Sequence, residues 1–577
     1  MKKCFLFLFS FCSLAAFSQT NILSTNPTAE QIMLGNYSPA NYKASNVIIH
    51  PDSIVSGVYN NLNQDSVRSY LERIVSFQNR NTGSDTLSSV KGIGAARRWA
   101  FKKFQEFSAA SENRLVTSYL QFDRLICNMN QHRNIFTVLP GMDSTDNSII
   151  IIEAHLDSRC QGSCDTACLA EGAEDNASGS ALVLELARVM SKYSYDHTIV
   201  FMLTIGEEQG LYGADAFSDY VQQKGINVKA VFNNDVIGGI ICGQTSSAPS
   251  CPGLNHIDST QVRLFSSGSF NSPHKSLCRF IKLEYQEELL PLVQVPMLLT
   301  LMSAEDRTGR GGDHIPFRQK GYKAMRFCSA NEHGDASNGP GYTDRQHTDD
   351  DILGVDTNND NIIDSLFVNI NYLLRNAAIN ATASAMAAVG PETPTFSGVK
   401  YNNGIIVTIT DPLNYMNYRV GVRTTMIDFD TIYTFTNTQV DTIYPPNGGT
   451  VFITVASVDS NGVESLFSDE TNFAAVGEVE LVNEEKSPIE LLQNRPNPFD
   501  EATYISVKVD EHNYKYNSAF IEIRDIQGKL VEKIDIPLNY GINEVLYTHG
   551  YNQIGSYLYS LVIDGKPVSS KWMVFAN

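Results

Sequence analysis

The feature that most constrains this chain is an alternation of strand-like and helix-like runs. Asn134 to Leu139, Ser148 to Ala154, Thr198 to Thr204 and Val228 to Asn233 are short and apolar or β-branched, and the stretches 178 to 193 and 211 to 224 between the later ones are helical in pattern. Strands joined by helices run largely parallel, and a parallel sheet is covered by helices on both faces. Two more helices lead in, because Val67, Leu71, Ile74 and Val75, and then Ile93, Ala96, Trp99 and Phe104, recur at helical spacing. This pattern predicts an α/β domain, a mostly parallel sheet flanked by helices, over residues 61 to 388, closed by an alanine-rich helix around Tyr372 to Ala388.

One such domain cannot absorb 577 residues, because single hydrophobic cores stop growing well short of that length. Gly390, Pro391 and Pro394 mark a break, after which short alternating strands and turn signals replace helices over 391 to 474. An acidic linker, 476 to 488, precedes a last β-rich module at 490 to 577, so two small all-β sandwich domains are expected after the α/β domain. At the other end Met1, Lys2 and Lys3 precede an apolar stretch from Cys4 to Phe17, with small residues at Ala16 and Ser18. That is the layout of an export signal over 1 to 18, cleaved before Gln19; a buried helix would explain neither the basic start nor the small-residue end. Cys12 lacks the preceding small-residue pattern of a lipid-anchored signal. A polar, turn-rich extension fills 19 to 60. No later run is long and apolar enough to span a bilayer, and a net charge of −20 argues against a nucleic-acid partner.

Of ten cysteines, Cys4 and Cys12 would leave with the signal, and the other eight lie between Cys127 and Cys328. An even number within one domain of an exported chain reads as disulfides, with the pairing open. The alternative, a thiolate metal site at Cys160, Cys164 and Cys168, lacks the spacing of a zinc ribbon or knuckle.

The residues that carry chemistry cluster at strand ends. The strand from Ser148 runs into His155, Leu156 and Asp157; twenty residues after His155, Asp175 precedes a small-residue helix start; the strand from Thr198 delivers adjacent Glu207 and Glu208; Asp235 follows the strand ending at Asn234; and His314 comes in "GGDHIPF". Ligand sites in open α/β sheets form just past the carboxyl ends of the strands. Two histidines with three carboxylates make a nitrogen and oxygen donor set suited to zinc, and a shared carboxylate would hold two ions about 3.5 to 4 Å apart. Each element alone has a bland reading, a structural His, a solvated Glu pair or an Asp-Asn helix cap, but their ordered recurrence at successive strand ends does not.

The motifs "AHLDS", "EDNASG", "GEEQGLYG", "NNDVIG" and "DHIPF" together resemble the two-zinc aminopeptidases and carboxypeptidases of metallopeptidase family twenty-eight, over about residues 60 to 388. The resemblance implies a zinc aminopeptidase-like fold and hydrolysis of N-terminal residues from peptides. It also implies that Asp175 bridges both ions, that Glu208 and His314 complete one site and His155 and Asp235 the other, and that Glu207 is the general base. The physical logic agrees, since water shared by two zinc ions loses much of its pKa, and a non-ligand Glu207 can take its proton and pass it to the leaving amine. Asp157 would bond the free ring nitrogen of His155, and the metals with nearby carboxylates would hold the substrate's amine.

Some segments depart from that pattern or extend it. The insertion "RCQGSCDTACLAEG", between His155 and Asp175, is expected to form a disulfide-pinned loop beside the site. His347, in "RQHTDDD", is a candidate for lining the substrate pocket. The run "DTNNDNIID" offers Asp356, Asn358, Asp360 and Asp364 as in a calcium loop, yet it has no Gly at position six and Phe367 where a bidentate Glu belongs, so a solvated loop is the stronger reading. "VFITVASVDSNGVESLFSDE" resembles the last strands of a fibronectin type III domain. "LLQNRPNPFDEATYISVKV", "IEIRDIQGKLV" and "GSYLYSLVIDGKPVSSKWMVFAN" resemble the C-terminal sorting domain of type IX secretion cargo. That implies partnership with the type IX machinery and passage through periplasm and outer membrane to the cell surface or the medium. Two other functions fit parts of the pattern: a one-zinc glutaminyl cyclase, against which "EDNASG" speaks, and a non-catalytic surface adhesin, which has no need of a non-ligand Glu beside a ligand Glu.

Overall fold

The structure is a computed structural model that describes residues 19–576 except 144, 243–252, 254, 270, 307–309, 332–344, 361–362, 402–403, 425–426, 446–449, 474–487, 500, 513, 526–528 and 550–554. The expected export signal and most of the expected acidic linker lie outside the described residues. Its centre is a nine-stranded sheet built from β1 (Thr20–Ser24), β2 (Val116–Ile126), β3 (Met129–Leu139), β4 (Ile149–His155), β5 (Thr198–Thr204), β6 (Val228–Asn234), β7 (Gln261–Ser266), β8 (Leu298–Leu301) and β9 (Ala324–Ser329). Their spatial order is β1-β2-β3-β5-β4-β6-β9-β7-β8.

The middle of the sheet is parallel, as the alternation predicted: β4 lies between β5 and β6, and β9 continues beyond β6, all in one direction. The margins differ, because β2 and β3 form an antiparallel hairpin that joins β5, and β7 runs antiparallel to β9. The hairpin turns on Cys127 and Asn128, at φ of 46° and 66°. Two successive left-handed residues match the right-handed twist of the flanking strands. The helices α1 (Gln64–Val75), α2 (Gly92–Ala110), α3 (Gly179–Met190), α4 (Tyr212–Lys224), α5 (Pro273–Glu284) and α6 (Ile370–Val389) cover the sheet. β4 is buried along its whole length, and α6 buries an almost unbroken run of alanines that lets it pack close to α3 and α5. No helix among the described residues is long and apolar enough to cross a membrane.

After α6 the regular elements of the described residues are all strands. Thr395–Phe473 makes antiparallel sheets of three and four strands around a core that includes Val407, Tyr418, Val420 and Ile453. Ile489–Phe575 makes another three- and four-stranded pair around Ile505, Ile521, Tyr559 and Met573. Both pack on the α/β body. Glu470 pairs with Arg279 of α5 at 2.9 Å and with Arg423 at 2.5 Å, each partner about 1% exposed, while Arg375 of α6 faces Glu501 at 3.8 Å.

Candidate metal centre

Three neighbouring parallel strands bring the donor residues to one sheet edge. His155 is the last residue of β4, Asp235 follows β6, and Glu207 and Glu208 lie in the loop after β5. Asp175 arrives from the irregular turn 173–178 that leads into α3. Asn176 fastens this turn: its Nδ2 donates to the Asn234 carbonyl at 2.8 Å, and its Oδ1 accepts from Gly179 N at 2.9 Å and Val236 N at 3.3 Å. A Cβ on Gly179 would collide with the Asn234 carbonyl, so glycine is required for α3 to start this close to β6. From the far side the Asp351 carboxylate accepts from Glu174 N at 2.9 Å and Asp175 N at 3.0 Å.

Asp175 stands between two donor groups. Its Oδ1 lies 3.0 Å from His155 Nε2, and its Oδ2 lies 2.9 Å from His347 Nε2. His155, Glu207 and Asp235 offer ligand atoms within 4.8 Å of one another, and so do Asp175, Glu208 and His347. Mixed imidazole and carboxylate donors suit zinc, and the buried Glu208 Oε1 has no hydrogen-bond partner among the described residues. An orphaned carboxylate oxygen in a group with the His347 imidazole and the Asp175 carboxylate fits a cation.

One expectation is corrected. His347, read from the sequence as a pocket residue, stands 3.2 Å from Glu208 Oε2 and occupies the place expected of His314. His314 belongs to neither donor group among the described residues. It starts a short helix, His314–Gln319, behind Asp235, where a Cβ on Gly312 would touch both His314 Nδ1 and Asp235 Oδ2 at 3.2 Å. Burial pushes its ring down to about 4. Asp157 also differs from expectation, since His155 Nδ1 faces the Asp157 carbonyl at 3.1 Å and its carboxylate only at 3.7 Å. That carboxylate accepts from Glu208 N at 3.3 Å, Glu207 N at 3.4 Å and Thr82 Oγ1 at 3.1 Å, so it orients the loop that carries both glutamates.

Burial works against the charge of every group here, and the neighbours outweigh it at His155 and Asp175 but not at Glu207. For His155, burial would lower the ring, but Glu207, Asp157, Asp175 and Asp235 hold it well above its ordinary value. Burial raises Glu207 well above the usual carboxylate range, with Asp235 and Glu208 adding and His155 opposing. Asp175 is held well below that range against its burial, by His155 and His347. Glu153, two residues before His155 on the same face, is wholly buried with neither oxygen partnered among the described residues, and burial, with Asp313 and Asp235, holds its carboxyl well above the usual carboxylate range.

Several residues around the centre carry no motif. Arg80, fully buried, donates to the Leu156 carbonyl at 2.8 Å and the Gly172 carbonyl at 3.0 Å, tying the β4 end to the insertion. Arg326 holds Asp235 at 3.3 Å and Asp306 at 2.5 Å. Gln346 donates to Asp175 Oδ2 at 2.7 Å. Arg159 donates to Glu208 Oε2 at 2.9 Å. Each is an ordinary polar residue in the sequence, and only the neighbour of a motif residue, as Arg159 and Gln346 are, could have drawn notice. The insertion is pinned by Cys127–Cys164 and Cys160–Cys168. This removes the thiolate metal reading; Cys242 also enters a disulfide, whereas Cys278 and Cys328 stay buried thiols, contrary to the expectation that all eight pair. In the run 356 to 364, Asp360 N donates to Asp356 and Asn358, and Asp364 accepts from Thr357. The described residues there form no group of three acidic donors close enough to share an ion.

The donors open onto a cavity of about 300 Å³ whose lining includes Arg159, Leu211, Arg310 and Gly311. An α/β sheet with clustered imidazole and carboxylate donors at its carboxyl edge, opening onto such a cavity, defines a metal-dependent hydrolase. Residues 134–241 match Peptidase family M28. A probable zinc metalloprotease of Pyrenophora tritici-repentis is 31% identical over 376 residues, covering 63% of this chain and 81% of the relative. A second, from Phaeosphaeria nodorum, is 33% identical over 309 residues, 49% of this chain and 61% of the relative. Among solved structures, the LapA aminopeptidase of Legionella pneumophila superposes at a TM-score of 0.43 with 19% identity, over 61% of this chain and 78% of that one, a likeness too distant to bear on activity. The chain belongs to peptidase family M28 and is a zinc-dependent hydrolase.

Proposed function

We propose that this chain is an exported aminopeptidase that works with two zinc ions and removes N-terminal residues from peptides. The observation that carries this reading is the split of the Asp175 carboxylate, one oxygen toward His155 and the other toward His347. His155 and Asp235 would hold one ion, Glu208 and His347 the other, with Asp175 between them. When bound, the metal pair supplies Lewis acidity toward the scissile carbonyl and an acidified water. Glu207, lining the cavity beside His155 and Asp235, is placed to act as the general base, and would take a proton from the attacking water and pass it to the leaving amine nitrogen. Asp157 fixes the Glu207 and Glu208 backbone, and Arg326 holds Asp235 so that its carboxylate faces the cavity. The basic-apolar start supports export, the strands over 395 to 473 support a fibronectin type III-like unit, and the three C-terminal motifs support sorting by the type IX machinery to the surface or medium.

Metal content per chain by mass spectrometry, beside release of amino acid from an unblocked peptide, tests the core of this. Two zinc ions, with release abolished in Glu207→Gln while both metals stay bound, is the expected result. One zinc with no release would replace the aminopeptidase with a glutaminyl cyclase reading.

A further inference from the structure

We infer that the outer edge of β8 takes up an extended, uncharged peptide segment of a partner protein as an added strand.

β8 ends the nine-stranded sheet, and among the described residues it pairs with β7 alone. Leu298 N donates to the Thr260 carbonyl at 2.7 Å and Met302 N to the Leu264 carbonyl at 2.9 Å, so alternate amides face β7. The N–H and C=O groups of Leu299 and Leu301 then face outward, and none of the four has a hydrogen-bond partner among the described residues. Unpaired edge groups of this kind are a template for another strand.

This edge opens into a cavity of about 520 Å³. Its walls are α5, the 427–432 segment of the first small β unit, and Ile542 and Glu544 of the C-terminal unit. The walls are tied together: Lys282 meets Asp428 at 2.8 Å, Arg279 Nη1 donates to the Ile427 carbonyl at 2.9 Å, and Gln286 Nε2 donates to Glu544 at 3.5 Å. One residue of a sheet occupies about 3.3 Å along the strand, 4.8 Å to its neighbour and 10 Å between faces, on the order of 160 Å³. The cavity therefore holds about three extended residues alongside β8. It admits one strand and not the sheet behind it, which sets aside edge-to-edge pairing with a second copy of this chain.

The charges in the walls are already matched. Arg279 meets Glu470 at 2.9 Å, Glu287 meets Arg419 at 2.6 Å, and Glu544 meets Arg495 at 3.7 Å. A charged occupant would lose its hydration without gaining a new counter-charge, whereas Leu298, Ile432 and Ile542 offer apolar contact. β8 lies three strands from β6, about 14 Å at the usual strand spacing, and no residue lines both this cavity and the one at the metal centre. The docked segment is thus held apart from the donor residues, and the inference does not depend on the peptidase reading.

The test uses the full-length chain and a library of tetrapeptides of Val, Ile, Thr and Tyr, acetylated and amidated so that no free terminus is offered for cleavage. Binding is read by fluorescence anisotropy, and deuterium exchange across 297 to 302 by mass spectrometry. Members of the library should bind and slow exchange in that segment about tenfold or more. In a bound peptide, N-methylation of the two amides that face β8 should abolish binding, and N-methylation of the other two should leave it. Ile542→Lys, at a position 51% exposed, should weaken binding about tenfold or more with an unchanged urea midpoint. The inference is overturned if no member binds, if exchange slows only elsewhere, or if both methylation patterns act alike. A concentration-dependent dimer with slowed exchange across 297 to 302 in the absence of peptide also overturns it, and gives the edge to a second copy.

Discussion

At Asp175 a single side chain meets two imidazoles, and the two histidines of the sequence motifs part company there. His347 Nε2 is 2.9 Å from Asp175, whereas His314 is buried behind Asp235 with its ring pushed down to about 4. His347→Ala should therefore reduce bound zinc to about one ion per chain, and His314→Ala should leave two; mass spectrometry of the purified variants decides, and the reverse pattern would restore His314 as the ligand. Asn176 invites a test of a different kind. Its amide satisfies the Asn234 carbonyl and the Gly179 and Val236 N–H groups at a fully buried position. Asn176→Ala strands these groups, which predicts a loss of about 1–3 kcal/mol or more in urea unfolding, while Asn176→Asp, which keeps the acceptor, should lose less if the two N–H contacts dominate.

Elements divide by how local their cause is. The parallel strands and the helices between them were legible because each is an apolar run or a 3.6-residue pattern that nothing else in the fold contradicts. The alanine-rich α6 was legible for the same reason, ending within a residue or two of where the pattern stops. β2 was not: Val116–Ile126 alternates buried with half-exposed residues, including Gln121, Asp123 and Arg124, and its turn depends on left-handed Cys127 and Asn128, which only the folded hairpin reveals. Four of the five residues expected to bind metal fall in the two donor groups, His155, Glu208 and Asp235 after predicted strands and Asp175 before a predicted helix start. The fifth was misplaced because His347 reaches the centre from a distant loop, and spacing arguments do not cover contacts 172 residues from Asp175. The insertion is an element defined by its covalent links rather than by periodicity. Cys127 and Cys164 are 37 residues apart, so their bond restricts a sizeable loop in the unfolded chain. Replacing both by Ser should cost about 2–4 kcal/mol, read as a lower urea midpoint with an unchanged slope; no change in midpoint would mean the loop contributes nothing to global stability.

Over the whole molecule the α/β body and the first small β unit share a buried polar seam. Glu284, at the end of α5, and Glu464, from the β unit, are both buried. Burial first, and then Glu464 together with Glu288 and Glu287, raise Glu284 well above the usual carboxylate range; burial pushes Glu464 up to about 8 even though Arg419 lies 4.0 Å away. Both groups are therefore protonated in the folded chain at pH values where the unfolded chain has released the protons. A carboxyl whose pKa is raised on folding contributes stability that is complete below its unfolded value, about 4.5, and is lost as pH climbs toward its folded value. Between about pH 4.5 and 8 Glu464 imposes a slope of up to about 1.4 kcal/mol per pH unit, downward with rising pH, and Glu284 acts in the same direction. Urea unfolding of the full chain at several pH values across that window should show stability falling as pH rises. Glu464→Gln, which keeps the shape and removes the titration, should flatten the fall and be the more stable protein at pH 8. An identical slope in wild type and variant would mean that Glu464 keeps its charge in the folded state, and that the seam between the two units is open to water.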